Sequence, residues 1–174
     1  MNKTALLIID AQVGLLTPGN QKPHNSNEVL KNIKALLEKA REKKVPVVYV
    51  QHTSKGAFDK GNKAWEICSE VAPVTGEPVI EKSEWNSFYG TKLEEVLRGL
   101  GVGKLIITGM KTEFCVDTTC RAAYSAGYGL ILVTDAHTTS DSYILSADQI
   151  INHHNSILRG IAALKTTRQV LDGL

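Results

Sequence analysis

The stretch KLIITGMKTEFCVDTTC, residues 104–120, joins two patterns in the middle of the chain. Its first five residues form an apolar, β-branched run, which is typical of a parallel strand buried on both faces. From about Glu113 onward the pattern predicts a helix, so Cys115 lies where the strand gives way to the helix. Free N–H groups and the positive end of the helix dipole stabilise a thiolate at such a position. Cys115 is therefore a candidate nucleophile, whereas Cys120 is expected to be a buried apolar side chain.

Short apolar runs alternate with helical patterns through the rest of the chain. The predicted strands are TALLIID (4–10), VPVVYVQ (45–51), KLIIT (104–108) and LILVTD (130–135), with weaker candidates in PVIE near Val79 and in TRQVL at the C-terminus. Between the first two strands, apolar residues recur at helical spacing over residues 29–40, with Ser26 or Asn27 as the N-cap. TKLE (91–94) and SADQ (146–149) match the pattern of capping boxes that open further helices.

This alternation predicts the fold class. A strand–helix–strand repeat gives a parallel sheet with helices on both faces and right-handed crossovers. We therefore expect one domain over residues 1–174, an α/β fold with three α/β/α layers and a mostly parallel, Rossmann-like six-stranded sheet. A length of 174 residues with 43% hydrophobic content suits a single core of this size. The longest irregular segment, residues 52–76, is expected to be a lid or an oligomer contact.

Composition and charge exclude several classes of protein. Lys and Arg total 20 against 18 for Asp and Glu, and the net charge of +2 is spread along the chain, so we expect no nucleic-acid partner. The apolar run at residues 5–9 is too short for a signal peptide or a membrane span, so we expect a cytoplasmic protein with no membrane partner. The odd number of cysteines, Cys68, Cys115 and Cys120, lacks C-x-x-C spacing, which disfavours a disulfide framework and a zinc site.

Polar residues follow most of the predicted strands. Ligands of doubly wound sheets bind beyond the carboxyl ends of the strands, where the strand order reverses. The residues at these ends are Asp10, Gln51, His52, Glu81, Lys82, the run 108–115, Asp135 and His137. We expect Asp10 and Cys115 to face each other, with His137 as an alternative partner because Cys–His pairs commonly activate thiols. Taken alone, Asp10 also fits a strand-end cap and Lys82 a solvated side chain.

Three segments together resemble a known family, the isochorismatase-like cysteine hydrolases, which include nicotinamidases and N-carbamoylsarcosine amidase. The segments are LLIIDAQ (6–12), VIEKSEWNSFYGTKLEEVL (79–97) and LIITGMKTEFCVDTTCRAAYSAGYGLILVTDA (105–136), and their order and spacing extend the resemblance over nearly the whole chain. The family pattern has an Asp after the first strand, a Lys before an SF-x-GT segment and a Cys in the third segment. These fall on Asp10, Lys82 and Cys115, so the resemblance favours Asp10 over His137 as the base.

The resemblance implies a cysteine-dependent hydrolase that cleaves the C–N bond of a small amide or carbamoyl compound. Asp10 would accept the thiol proton, Lys82 would balance the negative charge, and Cys115 would carry the acyl group as a thioester. The backbone N–H groups of Lys111 and Cys115, exposed by a cis Met110–Lys111 peptide, are the implied oxyanion hole. The side chains expected to shape the pocket, unless they belong to the core, are those of Gln12, Leu15, Trp85 and Phe88.

The segment after the second strand departs from one branch of this family. Metal-containing nicotinamidases carry an Asp-x-His pair there and another His, whereas this chain reads YVQHTSKG (49–56) with His52 alone, so we expect no metal and no other cofactor. Two other functions stay open: an isochorismatase-type vinyl-ether hydrolase, disfavoured because such members lack the cysteine, and a non-enzymatic thiol-bearing binding protein. The resemblance also implies a small-molecule substrate and a homo-oligomer, dimer or higher.

Overall fold

A parallel sheet forms the centre of the fold. The computed structural model describes residues 3–16 and 22–174. Among these residues, six strands pair in parallel in the order β3-β2-β1-β4-β5-β6. The strands are β1 (Lys3–Ile9), β2 (Val47–His52), β3 (Val79–Lys82), β4 (Val102–Met110), β5 (Gly129–Thr138) and β6 (Ala163–Lys165). The order reverses between β1 and β4, and the predicted three-layer α/β/α fold with a Rossmann-like sheet is confirmed.

Helices cover both faces of the sheet. They are α1 (Val13–Leu16), α2 (Ser26–Glu42), α3 (Leu93–Gly99), α4 (Asp117–Ser125), α5 (Ala147–Leu158) and α6 (Thr167–Leu171). One apolar layer joins the sheet to α2 and α6, and the other joins it to α3, α4 and α5. In β1, Leu7 and Ile9 enter one layer while Leu6 and Ile8 enter the other, which explains the continuous apolar run. None of the helices in the described residues is long and apolar enough to cross a membrane.

The start of α5 agrees with the prediction from the sequence, and the start of α2 does not. Ser146 accepts from the backbone N–H of Gln149, and the Gln149 side chain accepts from the N–H of Ser146, so the SADQ capping box is confirmed. The predicted cap of α2 at Ser26 or Asn27 is wrong, because the helix already begins at Ser26 and follows Asn25 in a left-handed conformation. The Asn25 amide donates to the neighbouring His24 ring instead of capping the helix.

Two other local predictions are wrong because polar side chains compete for backbone groups. TRQVL is not a strand but helix α6, since Thr166 and Gln169 form a capping box directly after the short strand β6. TKLE does not form a capping box. Its Thr91 hydroxyl donates to the Ser87 carbonyl oxygen and accepts from the N–H of Leu93, where α3 begins.

The central strands β1 and β4 approach each other closely at their carboxyl ends. Gly109 has a φ of 123°, and a Cβ at this position would overlap the carbonyl oxygen of Ile9. The pairing of β4 with β5 also shifts register between Ile107 and Gly109. The next peptide bond, Met110–Lys111, is cis. The residues that follow β1 and β4 are thereby brought together at one edge of the sheet.

The segment between β2 and β3 is irregular, as predicted, and contains one 3-10 turn at Ser69–Val71. Two buried amides fix its base to the sheet. Gln12 donates to the carbonyl oxygens of His52 and Trp65, and Gln51 donates to the same Trp65 oxygen. These bonds hold the segment against the carboxyl ends of β1 and β2, where the candidate site lies.

Candidate active site

Lys82, the last residue of β3, joins the other two predicted catalytic residues. Its nitrogen lies 2.9 Å from Asp10 Oδ2, and the side chains of this ion pair are both fully buried. It also donates to the Cys115 sulfur at 3.1 Å and to the Glu84 carbonyl oxygen at 3.0 Å. An ammonium group has three N–H donors, so these three contacts saturate it and fix its position.

Asp10 follows β1 directly, with a φ of 49°, in the left-handed region that aspartate tolerates better than most residues. Its N–H donates to the Val50 carbonyl, and its own carbonyl accepts from the N–H of Gln12. The side chain is buried, and Oδ1 has no hydrogen-bond partner within the described part of the chain. Burial raises the pKa of this carboxyl, against the opposing charge of Lys82. A carboxylate desolvated in this way is a stronger base than one in water.

Cys115 lies in a π-helical turn, Thr112–Val116, and the regular helix α4 begins only at Asp117. The thiol is 8% exposed, more than the other two cysteines. Burial, and after it the negative charge of Asp10, raises the pKa of the Cys115 thiol to about 12, against the effect of Lys82. Burial thus opposes the expected stabilisation of a thiolate at a helix N-terminus. A thiol with a raised pKa needs a base to take its proton as it attacks.

A cavity of about 270 Å³ opens directly onto Asp10 and Cys115. Its lining residues are Asp10, Leu15, His52, Ser54, Phe58, Trp85, Lys111, Phe114 and Cys115. The rings of Trp85 and Phe114 lie with their centroids 4.8 Å apart. Most of the wall surface is apolar, and Asp10, His52, Ser54, Lys111 and Cys115 supply its polar groups.

Of the four side chains predicted to shape the pocket, two line the cavity and two do not. Leu15 and Trp85 line the cavity. The structure does not bring Gln12 or Phe88 to it, so for these two the alternative of a place in the protein interior holds. Gln12 is fully buried, and backbone groups behind the cavity wall occupy its amide. Phe88 packs into the core against Tyr128, with ring centroids 5.8 Å apart.

Lys111 lines the cavity beside Cys115, and the peptide bond before it is cis, as the resemblance implied. The Lys111 carbonyl oxygen accepts from the N–H groups of Phe114 and Val116, which closes the π-helical turn. Both Lys111 and Cys115 line the cavity. Their role as an oxyanion hole stays a prediction.

His137 is buried away from the thiol, with both ring nitrogens occupied. Nδ1 lies 2.9 Å from the Thr112 hydroxyl, and Nε2 lies 3.0 Å from Asn155 Oδ1. Because an amide oxygen only accepts, Nε2 carries the proton and Nδ1 accepts from Thr112. Burial lowers the pKa of His137 to about 4. This geometry does not support the alternative Cys–His pair. Instead, His137 holds the turn that carries Cys115.

Sequence reasoning missed Ser54, Phe58 and Phe114 as cavity residues and left the role of His52 open. Phe114 could have been inferred from its place next to Cys115, and Phe58 from its aromatic ring in a polar segment. His52 lines the cavity without other nearby histidines. Within the described ranges, no three or more His, Cys, Asp or Glu side chains form a group that could hold a metal ion.

The fold and the site together define the class of protein, a doubly wound α/β enzyme with a buried Asp, Lys and Cys at the point where the strand order reverses. The isochorismatase domain model matches residues 4–152. The chain is 37% identical over 151 residues to the secreted isochorismatase effector Isc1 of Verticillium dahliae, across 85% of this chain and 79% of that one. It is 30% identical over 151 residues to nicotinamidase 3 of Arabidopsis thaliana, across 78% and 73%. The crystal structure of an isochorismatase from Pseudomonas putida KT2440 has a TM-score of 0.90 at 34% identity, across 95% and 89%.

The chain belongs to the isochorismatase family of hydrolases. The predicted family and the prediction that the chain is an enzyme are thereby confirmed.

Proposed function

We propose that this chain hydrolyses the C–N bond of a small amide or carbamoyl compound through a thioester on Cys115. One observation carries the proposal: the Lys82 nitrogen lies 2.9 Å from Asp10 Oδ2 and 3.1 Å from the Cys115 sulfur at the base of the cavity. A carboxylate, an ammonium and a neutral thiol have no net charge together, which makes their burial tolerable.

Acylation begins with the proton of the Cys115 thiol, which passes to Asp10 as the sulfur attacks the carbonyl carbon. The raised pKa of the thiol makes a free thiolate scarce near neutral pH, so proton transfer accompanies attack. The raised pKa of Asp10 makes the carboxylate a better acceptor for that proton. A C–S bond forms while the carbonyl electron pair moves to oxygen, and Lys82 keeps the buried charge balanced.

Collapse of the tetrahedral intermediate breaks the C–N bond. Asp10 returns its proton to the leaving nitrogen, and ammonia or an amine departs while the acyl group stays on Cys115. Asp10, again a carboxylate, then takes a proton from a water molecule whose oxygen attacks the thioester. The sulfur leaves and regains that proton, so each turnover consumes one water and releases one acid and one amine.

The oxyanion of both tetrahedral intermediates needs donors that are already in place. We assign this role to the backbone N–H groups of Lys111 and Cys115, two residues that line the cavity. Loss of one such donor typically slows turnover about 100- to 1,000-fold. Backbone donors cannot be removed by a side-chain substitution, so this part of the proposal is tested with a trapped aldehyde analogue. Its oxygen is expected to bind between the two amides.

The size and walls of the cavity support a small, largely apolar substrate. The relative named nicotinamidase acts, by its name, on a small amide of this kind. The relative named isochorismatase effector favours the second candidate function, vinyl-ether hydrolysis. That reaction proceeds by general acid catalysis and requires no covalent bond to sulfur, so the two functions differ in a measurable intermediate.

The test is a screen of small amides and carbamoyl compounds for ammonia or amine release, followed by rapid acid quench and intact mass measurement. We expect a substrate-sized acyl adduct that maps to Cys115. Cys115→Ala should show neither adduct nor turnover, whereas Cys120→Ala, the same change in the core, should show both. If Cys115→Ala remains active and isochorismate yields pyruvate, the thiol is structural and the vinyl-ether function replaces our proposal.

A further inference from the structure

We propose that Cys115 and Lys82 form an oxidative modification site, at which a peroxide converts the thiol to a sulfenic acid and the lysine nitrogen then closes a covalent S–N bond. The product, a sulfenamide, blocks the sulfur, and a thiol reductant restores it. This inference goes beyond the proposed amide hydrolysis, because it depends on the geometry of the two side chains and not on any substrate.

The sulfur and the nitrogen are already in contact. Lys82 Nζ lies 3.1 Å from Cys115 Sγ, and the lysine side chain is fully buried. Its contacts with Asp10 Oδ2 at 2.9 Å and with the Glu84 carbonyl oxygen at 3.0 Å hold it there. Reacting atoms that are held about 3–3.5 Å apart need little further ordering before they bond. The pair is therefore arranged for a covalent link.

A small oxidant can reach Cys115 but not the other two thiols. Cys115 lines the cavity of about 270 Å³ and is 8% exposed, whereas Cys68 is 2% and Cys120 0% exposed. A cavity of this volume has room for hydrogen peroxide, which is only slightly larger than water. Because burial raises the pKa of the Cys115 thiol, its oxidation needs a base, and Asp10 lines the same cavity.

The first step oxidises the sulfur and reduces the peroxide. The sulfur of Cys115 attacks one peroxide oxygen, an S–O bond forms and the O–O bond breaks. Asp10 takes the thiol proton and passes it to the leaving oxygen, which departs as water. Cys115 is left as a sulfenic acid, and Asp10 is again a carboxylate.

No second thiol is placed to trap this sulfenic acid as a disulfide. Cys68 belongs to the apolar layer on the other face of the sheet. Cys120 lies five residues after Cys115 along the helix. Five helical residues advance about 7.5 Å along the axis alone, whereas a disulfide requires Cα atoms within about 7 Å. Lys82 is instead the nucleophile in contact with this sulfur.

The second step joins nitrogen to sulfur without further oxidant. Asp10 takes one proton from the Lys82 ammonium, the nitrogen attacks the sulfur, and the hydroxyl group leaves with a second ammonium proton as water. The site held one carboxylate and one ammonium before this step and holds a neutral carboxyl and a neutral nitrogen after it, so no buried charge is left unpaired. Burial also raises the pKa of Asp10, which favours the protonated carboxyl.

The test treats the full chain with hydrogen peroxide in the absence of substrate, followed by intact mass measurement and peptide mapping without reductant. We expect a loss of about 2 Da, for two hydrogens, and a peptide that links residues 82 and 115 and is not cut by trypsin after Lys82. Dithiothreitol should restore the original mass. Lys82→Met should instead gain about 32 Da as the sulfinic acid, which dithiothreitol does not reverse.

Two variants are matched controls. Lys60→Met changes an exposed lysine and should keep the link. Cys120→Ala should also keep the loss of about 2 Da, which separates the link from a disulfide of the same mass. Should Lys82→Met fail to fold, the linked peptide of the wild type decides the matter.

The proposal is overturned if wild-type Cys115 gains oxygen without forming the linked peptide, or if the mass loss disappears in Cys120→Ala. It is also overturned if Cys120 is oxidised as fast as Cys115. Failure of the amidase proposal is seen separately, as a chain that forms the link but releases no ammonia or amine from any amide.

Discussion

Lys82 and Cys115 meet through a buried 3.1 Å hydrogen bond, although the strands that precede them are separated in the sheet by β2 and β1. The thiol lies in the π-helical turn that follows β4, and the long Lys82 side chain reaches it from the end of β3. Asp10 lies at the same ammonium group. One lysine thus connects an edge strand to the centre of the sheet and to the proposed nucleophile.

Asp10→Asn and Lys82→Met are each expected to reduce turnover as much as Cys115→Ala does, because residues that act as one unit are not additive. Lys82→Met also leaves the Asp10 carboxyl buried without its counter-ion, which costs about 3–5 kcal/mol of stability. Lys60→Met is the control, since it breaks an exposed ion pair with Glu81 that is worth at most about 1 kcal/mol. Turnover assays and urea unfolding would check both effects, and a fully active Asp10→Asn would contradict the mechanism.

His137→Ala is expected to cost stability more than activity. The change leaves the Thr112 hydroxyl and the Asn155 amide without their buried partner, which should lower the free energy of unfolding by about 2–4 kcal/mol. Turnover per folded molecule should fall far less than for Asp10→Asn. A loss of turnover equal to that of Cys115→Ala, in a folded protein, would restore the Cys–His pair as the better description.

Cys115 is expected to react with iodoacetamide before Cys68 and Cys120, because it is the thiol that lines the cavity and is the least buried of the three. Burial raises the pKa of all three thiols, that of Cys115 to about 12, so the reaction is slow at pH 7. The thiolate is the reactive form and its fraction rises about tenfold per pH unit below the pKa. Peptide mapping should therefore show labelling that climbs about tenfold from pH 7 to 8. Equal labelling of the three thiols would disprove the preference.

Gly109→Ala is expected to destabilise the fold by at least about 3 kcal/mol. The added Cβ would overlap the Ile9 carbonyl, and a φ of 123° strains any residue other than glycine. Gly129→Ala is the matched control, because its Cβ would meet no atom closer than 3.6 Å and its φ is not in the left-handed region. Urea unfolding should show a change below about 1 kcal/mol for the control. Comparable losses of unfolding free energy in both variants would mean that the close contact between β1 and β4 does not explain the destabilisation by Gly109→Ala.

We predict a homo-oligomer, measurable as a multiple of 19.0 kDa by light scattering at micromolar concentration. The irregular segment between β2 and β3 offers less apolar contact surface than its sequence indicates. Phe58 faces the cavity, and the Trp65 indole donates to the Thr53 hydroxyl at 2.9 Å. A strictly monomeric mass would contradict the prediction.

The strands of the sheet could be predicted well, because a strand that is buried on both faces has a continuous run of apolar residues. The location of the site could be predicted from the parallel arrangement of these strands. Asp10 follows β1 and Lys82 ends β3, and residues at the carboxyl ends of parallel strands share one edge of the sheet. Lys82 was nevertheless singled out by the family resemblance, since a lysine at a strand end is usually solvated.

The side chains whose roles could not be predicted have partners that are distant in the sequence. Gln12 has the polarity of a pocket residue, but its bonds go to His52 and Trp65, 40 and 53 residues away. His137 is satisfied by Thr112 and Asn155 on other elements. No local sequence pattern predicts hydrogen bonds between residues so far apart. The misread strand at TRQVL is different, because its capping box is local and outweighs a β-branched composition.

The central position of β1 in the sheet also affects folding during synthesis on the ribosome. β1 ends at Ile9, but its neighbour β4 begins only at Val102, so roughly 90 residues must leave the ribosome first. At about 5–20 residues per second, one edge of this largely apolar strand waits about 5–20 s for its partner. An unpaired apolar edge is a template for association with other chains. A nascent product that stops before β4 should therefore aggregate, and chaperone demand should peak during that interval.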